Sequence, residues 1–149
     1  MENPPLKKGV LRGDSRGGGD FFVTHNFSIS NETESKLPPI DFSSIKEAAL
    51  GPDYTLSLVI ISADGIQKLN DQYRQKNVPT DILSFPLSEN EGEIYICPSE
   101  AEKEAVKFQR KSENFLAFLF IHGCVHLKGY DHGSTMEAIE NEICKKFKI

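Results

Sequence analysis

Three of the chain's four histidines fall within HGCVHLKGYDH, from His122 to His132. His122 and His126 are four apart, so on a helix both imidazoles leave one face and can reach a single ion. Gly129, three residues after His126, lets the chain leave that helix, and the turn Gly129-Tyr130-Asp131 returns His132 toward the same point. Three neutral imidazoles suit zinc or another late first-row divalent metal, and they leave one coordination position for water, as a catalytic centre requires. Cys124 lies between the helical histidines but, at about 100° per residue, points roughly 200° away from His122, so it is expected in the core. The fourth histidine, His25, is assigned an ordinary core role.

The same spacing of three histidines and a glycine is the metzincin protease pattern HExxHxxGxxH, with one difference. The glutamate that serves those proteases as general base is replaced by Gly123, which cannot move a proton. Metal-bound water remains a usable nucleophile, because coordination can lower its pKa toward ~7. The expected chemistry is therefore hydrolysis of something other than a peptide, with a metallopeptidase using an unorthodox base as the rival. A second segment, YRQKNVPTDILSFPL from Tyr73 to Leu87, bears on the substrate. Arg74 closes a helix and offers a planar, permanently charged fork to a phosphate oxygen, although composition alone favours a solvated surface arginine. Thr80 and Asp81 sit in a turn where local hydrogen bonding is their default role.

These residues need a scaffold, and the periodicities supply one. FSIS from Phe27 alternates as a half-exposed strand, and NETESKLPP breaks it. DFSSIKEAALG reads as a short helix with Asp and Ser candidates for its N-cap and Gly51 as its stop. Tyr54–Ser62 reads as a strand entering the core. Ile66, Leu69 and Tyr73 mark an amphipathic helix ending near Asn77, before Pro79. ILSFPL and EIYIC, separated by SENEG, form a strand pair. Ser99 and Glu102 have capping-box spacing ahead of AEKEAVKFQR, and Ser112 is the expected cap of ENFLAFLFIHGCVHLK, whose middle is apolar all round and so predicted to be buried. Gly129 occupies a C-cap position. Ser134 and Glu137 repeat the capping-box spacing before a helix whose stripe is Met136, Ile139, Ile143 and Phe147. Strands early and helices late predict an α+β domain, with helices packed on a small mixed sheet and a zincin-like helix bearing the metal.

Residues 1–20 are rich in Gly, Pro and charge and end on Gly17-Gly18-Gly19 before Asp20. They are expected to be a disordered tail or expression remnant, which leaves 21–149 as a single metal-dependent hydrolase domain. The Arg-Gly-Asp-Ser run within that tail is assigned no function. No apolar run approaches a membrane span and no secretory h-region is present, so the protein is expected to be cytoplasmic and without a membrane partner. Cys97, Cys124 and Cys144 are an odd number without CxxC spacing and are expected to be reduced thiols. A net charge of −5 argues against indiscriminate nucleic-acid binding through bulk charge.

Taken together, YRQKNVPTDILSFP, the strand GEIYI, the helix FIHGCVHLKGYDH and the closing Met136/Glu137 helix resemble the YbeY family. These are bacterial rRNA maturation factors regarded as single-strand-specific, metal-dependent endoribonucleases. The resemblance covers nearly everything after the tail. It implies that His122, His126 and His132 bind one divalent metal ion, zinc in the first instance, and that Arg74 is the family's functionally important arginine. It further implies a role in rRNA processing and ribosome quality control, with single-stranded rRNA as substrate and the small ribosomal subunit or its assembly factors as partners. On an acidic body such a substrate calls for a confined basic groove, drawn from Lys68, Arg74, Lys76 and Lys128. A rival outside enzymology is a ribosome-assembly binding module whose metal only staples the fold.

Overall fold

The computed structural model describes residues 21–24, 26–130 and 133–149; the tail proposed at 1–20, together with His25, Asp131 and His132, lies outside the described residues. The fold is α+β, as expected. Among the described residues five strands, β1 (Phe21–Val23), β2 (Phe27–Asn31), β3 (Thr55–Ile60), β4 (Ile82–Ser88) and β5 (Glu91–Ile96), form one sheet in the order β1-β2-β3-β5-β4. β3 pairs in parallel with β2 and β5, whereas the β1/β2 and β4/β5 pairs are antiparallel, so the sheet is mixed. The helices are α1 (Phe42–Leu50), α2 (Ala63–Arg74), α3 (Pro98–Lys107), α4 (Ser112–Leu127) and α5 (Ser134–Phe147).

The period-two alternation of the strands divides the core between the two sheet faces. Leu56, Leu58, Ile60, Ile94 and Ile96 pack with residues of α1, α3, α4 and α5. On the opposite face Leu83, Phe85 and Tyr95 pack with Ile66, Leu69 and Tyr73 of α2, and the Tyr73 and Phe85 rings meet edge-on at 5.8 Å. α4 is buried along most of its length, as its continuous apolarity predicts. Its Phe120, fully buried, lies 5.0 Å from the Phe42 ring and 6.1 Å from the Phe27 ring, which locks α4 against α1 and β2. Burying a side chain of that size contributes about 1.5–3 kcal/mol.

Several local expectations are corrected. A strand, β1, precedes the one expected from Phe27; FFV is too short to show a period and is a strand only through its pairing with β2. α2 starts at Ala63, with the Ser62 hydroxyl accepting the Gly65 N–H at 3.1 Å, and ends at Arg74 rather than near Asn77. Asp41 caps α1 as proposed. The three later serine caps do not form. Pro98 takes the first position of α3, where its missing N–H costs nothing, and carries Ser99 into the first turn. Ser112 and Ser134 likewise fall inside α4 and α5, whose N-cap residues are Lys111 and Gly133, without side-chain cap bonds.

Candidate active site

β4 is an edge strand with two distinct faces. Leu83 and Phe85 point to α2, while Ile82, Ser84 and Pro86 line a cleft of about 440 Å³ whose opposite wall is α4. The edge position also accommodates Pro86, which has no N–H to donate to a further strand. Arg74, Thr80, Asp81, His122, His126 and Leu127 complete the lining. The cleft thus gathers residues from the end of α2, from the following turn, from β4 and from α4. Arg74 and His126 are 52 positions apart in the chain, and folding brings them to one surface.

Arg74 reaches the cleft because α2 stops abruptly. Gln75 adopts a left-handed conformation (φ 57°), and the Lys76 N–H returns to the Asn70 carbonyl at 3.2 Å. The Asn70 side chain, buried within α2, donates to the Val78 carbonyl at 3.0 Å, and the Gln67 amide donates to the Asn77 carbonyl at 3.2 Å. These bonds hold the 75–78 turn against the helix and direct the chain to Thr80 and Asp81. Both of those residues therefore line the cleft in addition to shaping the turn: the Thr80 hydroxyl lies 3.5 Å from the Asp81 carboxylate, and the Asp81 carbonyl accepts the Cys97 N–H at 3.0 Å. Burial raises the Asp81 pKa above the usual aspartate value, and nearby Glu104 raises it further.

His122 and His126 meet edge-to-face at 4.8 Å between ring centroids. Each ring is oriented through Nδ1. The His122 Nδ1 contacts a carboxylate oxygen of Glu140 on α5, and the His126 Nδ1 lies 3.1 Å from the Tyr130 carbonyl. Because a carboxylate and a carbonyl only accept, Nδ1 carries the proton in both rings and the in-plane lone pair falls on Nε2. That is the tautomer a metal ligand needs, and acceptors behind the rings are the usual means of fixing it. The Tyr130 carbonyl is placed by the end of α4: Gly129, at φ +113°, donates to the His126 carbonyl at 2.9 Å, and the Tyr130 N–H turns back toward the Val125 carbonyl. This is a Schellman ending that favours glycine at that position.

The two described histidines thus stand together on α4 with Nδ1 of each turned to an acceptor, and the third expected ligand, His132, lies outside the described residues. Among the described residues no group of three or more His, Cys, Asp or Glu side chains is arranged to hold a metal. Cys124 is fully buried in the main core, and burial pushes its thiol pKa far upward, in keeping with a core role. Cys97, Cys124 and Cys144 are free thiols. Lys68, Lys76 and Lys128 are exposed but do not line the cleft, so among the described residues the guanidinium of Arg74 is its cationic wall. The expected basic groove is narrower than proposed.

Glu140 is the residue that sequence reasoning missed. It is 5% exposed although charged. Its signal was available, since it stands four after Met136 and three before Ile143, an acid on the buried stripe of an amphipathic helix. Gly123 also gains an explanation. A Cβ there would lie 3.0 Å from Ile82 Cδ1, Ile94 Cδ1 and Ser84 Oγ, so the position faces the sheet at close range.

Residues 25–148 match the protein family described as endoribonuclease YbeY. Proteins named endoribonuclease YbeY include one from Staphylococcus carnosus, 31% identical over 140 residues that cover 86% of this chain and 90% of the relative. One from Thermotoga maritima is 44% identical over 82 residues, covering 54% of this chain, and the match spans about half (55%) of that relative's length. A solution structure of a Thermotoga maritima protein superposes with a TM-score of 0.54 at 32% identity, over 71% of this chain and 78% of that one.

Proposed function

The chain belongs to the endoribonuclease YbeY family, and from that premise we propose that it is a metal-dependent endoribonuclease that cuts single-stranded RNA, acting in rRNA maturation and ribosome quality control. The observation that carries the reading is the shared cleft, which sets a guanidinium from α2 against two imidazoles from α4 that meet edge-to-face. His122 and His126, with His132, would hold one divalent ion, and three imidazoles favour zinc. In that sense α4 is a zincin-like helix. When bound, the ion supplies Lewis-acid polarisation and a more acidic water. The protein's own groups do the rest. Arg74 binds and orients phosphate oxygens and opposes the charge that accumulates on them as the phosphodiester is attacked. Thr80 and Ser84 offer hydroxyls along the same wall, and the Nδ1–H groups of the two histidines donate to the Glu140 carboxylate and the Tyr130 carbonyl, which keeps the rings from turning.

Two rivals fare less well. The peptidase needs a base from somewhere other than Gly123, and Glu140, the carboxylate in contact with His122, is already engaged with the ring's Nδ1. A purely structural metal is normally enclosed by its ligands, whereas the His122 side chain is 24% exposed and both histidines stand on an open cleft wall. No helix among the described residues is long and apolar enough to cross a membrane; the proposed place of action is the cytoplasm, beside the small ribosomal subunit or its assembly factors. Incubating the zinc-loaded protein with single-stranded RNA, duplex RNA and casein tests the reading: single-stranded RNA alone should be cut. Casein cleavage without RNA cleavage would return the peptidase.

Two variants examine the parts separately. Glu140→Gln keeps the shape but weakens the acceptor behind His122, so zinc affinity should fall roughly 10- to 100-fold in competition with a chromophoric chelator. Unchanged affinity would make Glu140 a packing residue. Arg74→Lys keeps a charge but loses the fork, and one such contact is worth about 2–4 kcal/mol, so single-turnover cleavage should fall on the order of thirty-fold or more. Arg74 is exposed, so melting temperature and metal content should hold. Wild-type cleavage by a folded, metal-loaded Arg74→Ala protein would remove the arginine from catalysis.

A further inference from the structure

On the other side of His122, between α4 and α5, a second cleft of about 400 Å³ is lined by Asp81, Ile82, Phe118, Leu119, His122, Gly133, Met136, Glu137 and Glu140. It shares Asp81, Ile82 and His122 with the first cleft, so the two adjoin at the metal-site helix. Their chemistry differs. The first sets a guanidinium and two hydroxyls beside the carboxylate of Asp81, and the guanidinium and hydroxyls suit a phosphate. Among the described residues the second has no Arg or Lys in its lining, and its polar wall is dominated by carboxylates beside an apolar floor of Phe118, Leu119, Ile82 and Met136. Phe118 is half-buried, held by the Arg110 guanidinium 4.8 Å over its ring.

We infer that this second cleft is the subsite for a nucleobase next to the phosphate held by Arg74, and that it selects guanine. The inference rests on the ribonuclease reading and deepens it. A phosphate is repelled by a wall of carboxylates, whereas a flat, uncharged ring can lie against an apolar and aromatic surface. Single-stranded RNA is read in this way, through stacking and through hydrogen bonds to exposed base edges. Carboxylates only accept, so they choose bases by the donors on those edges. Guanine offers two adjacent N–H donors, on N1 and N2, that match the two oxygens of one carboxylate. Uracil offers one donor flanked by two carbonyl oxygens, which such a wall disfavours. Glu140 is engaged with His122, so the acceptors assigned to the base are Glu137, exposed on the first turn of α5, and Asp81.

The test uses the zinc-loaded protein and single-turnover cleavage of oligouridylates of one length, with or without a single internal guanosine. Cleavage should concentrate beside the guanosine and run about tenfold or more faster there than at uridine, the discrimination of one good bidentate contact. Inosine, which lacks the N2 amino group, should lose most of that preference. Glu137→Gln and Phe118→Leu should each move the guanosine-to-uridine ratio toward one. Equal rates at all bases, or a preference unchanged in both variants, overturns the subsite. If the wild type cuts no RNA at all, the ribonuclease reading fails, and equilibrium dialysis of guanosine and uridine monophosphates still decides the cleft. Tighter guanosine monophosphate binding that is lost in Glu137→Gln supports it, and equal binding of the two nucleotides rejects it.

Discussion

His122→Ala and His126→Ala are each expected to abolish stoichiometric zinc binding and to lower RNA cleavage by about three orders of magnitude. The metal is asked for several kcal/mol of transition-state stabilisation, and two remaining imidazoles are too few to retain it. Both rings stand partly exposed on a cleft wall, so removing either leaves the α4 core contacts of Phe120, Ile121 and Val125 intact. The polypeptide should therefore still fold, His122→Ala with a lowered melting temperature because buried Glu140 loses its partner, and in neither variant should melting respond to added zinc. His132→Ala belongs to the same class, whereas His25→Ala should keep its metal. Metal content by elemental analysis, with melting and single-turnover cleavage on the same preparations, gives the result. Full occupancy in any of the three variants would strike that histidine from the ligand set.

Gly123→Glu should fail in a different way. It restores the residue found between the first two histidines of a metzincin, yet the structure predicts a loss of stability and no gain of proteolysis. At 3.0 Å from Ile82, Ile94 and Ser84, a Cβ already presses on the sheet. Alanine would offset that pressure with its better helix propensity, roughly 1 kcal/mol over glycine, and should come out near neutral or modestly destabilising. Glutamate adds bulk and leaves a carboxylate among Ile82 and Ile94, where burial without a partner costs several kcal/mol. A fall in melting temperature of about 10 °C or more is expected, against a few degrees for Gly123→Ala. Wild-type melting together with casein hydrolysis by Gly123→Glu would show that the new carboxylate escapes the sheet into the cleft that Ile82 and Ser84 line.

What local pattern encodes was legible without coordinates. Strands β2 to β5, the amphipathic face of α2, the all-round apolarity of α4 and the glycine ending at Gly129 follow from neighbours within a few positions, and the structure has them. β1 was not legible, because three residues carry no period and its partner on β2 does. The serine caps of α3, α4 and α5 misled because a capping box specifies a donor and an acceptor, while Pro98, and the turns into α4 and α5, decide where the helix begins. The histidine pair was legible as spacing. The cleft was not, since Arg74, Ser84 and His126 converge only after β4 takes the sheet edge beside α4. Glu140 sat in plain view as a charge on an apolar stripe, and its meaning depended on knowing that His122 lay opposite.

The most direct measurement is cleavage of a single-stranded RNA by one preparation before metal removal, after stripping to below a tenth of an equivalent, and after adding back one equivalent of zinc. If the His122–His126 cleft acts as proposed, cleavage falls with the metal to the level of His126→Ala and returns in proportion to zinc bound, while His126→Ala stays inactive throughout. Undiminished cleavage by the stripped, folded protein, or equal cleavage by His126→Ala, would contradict it.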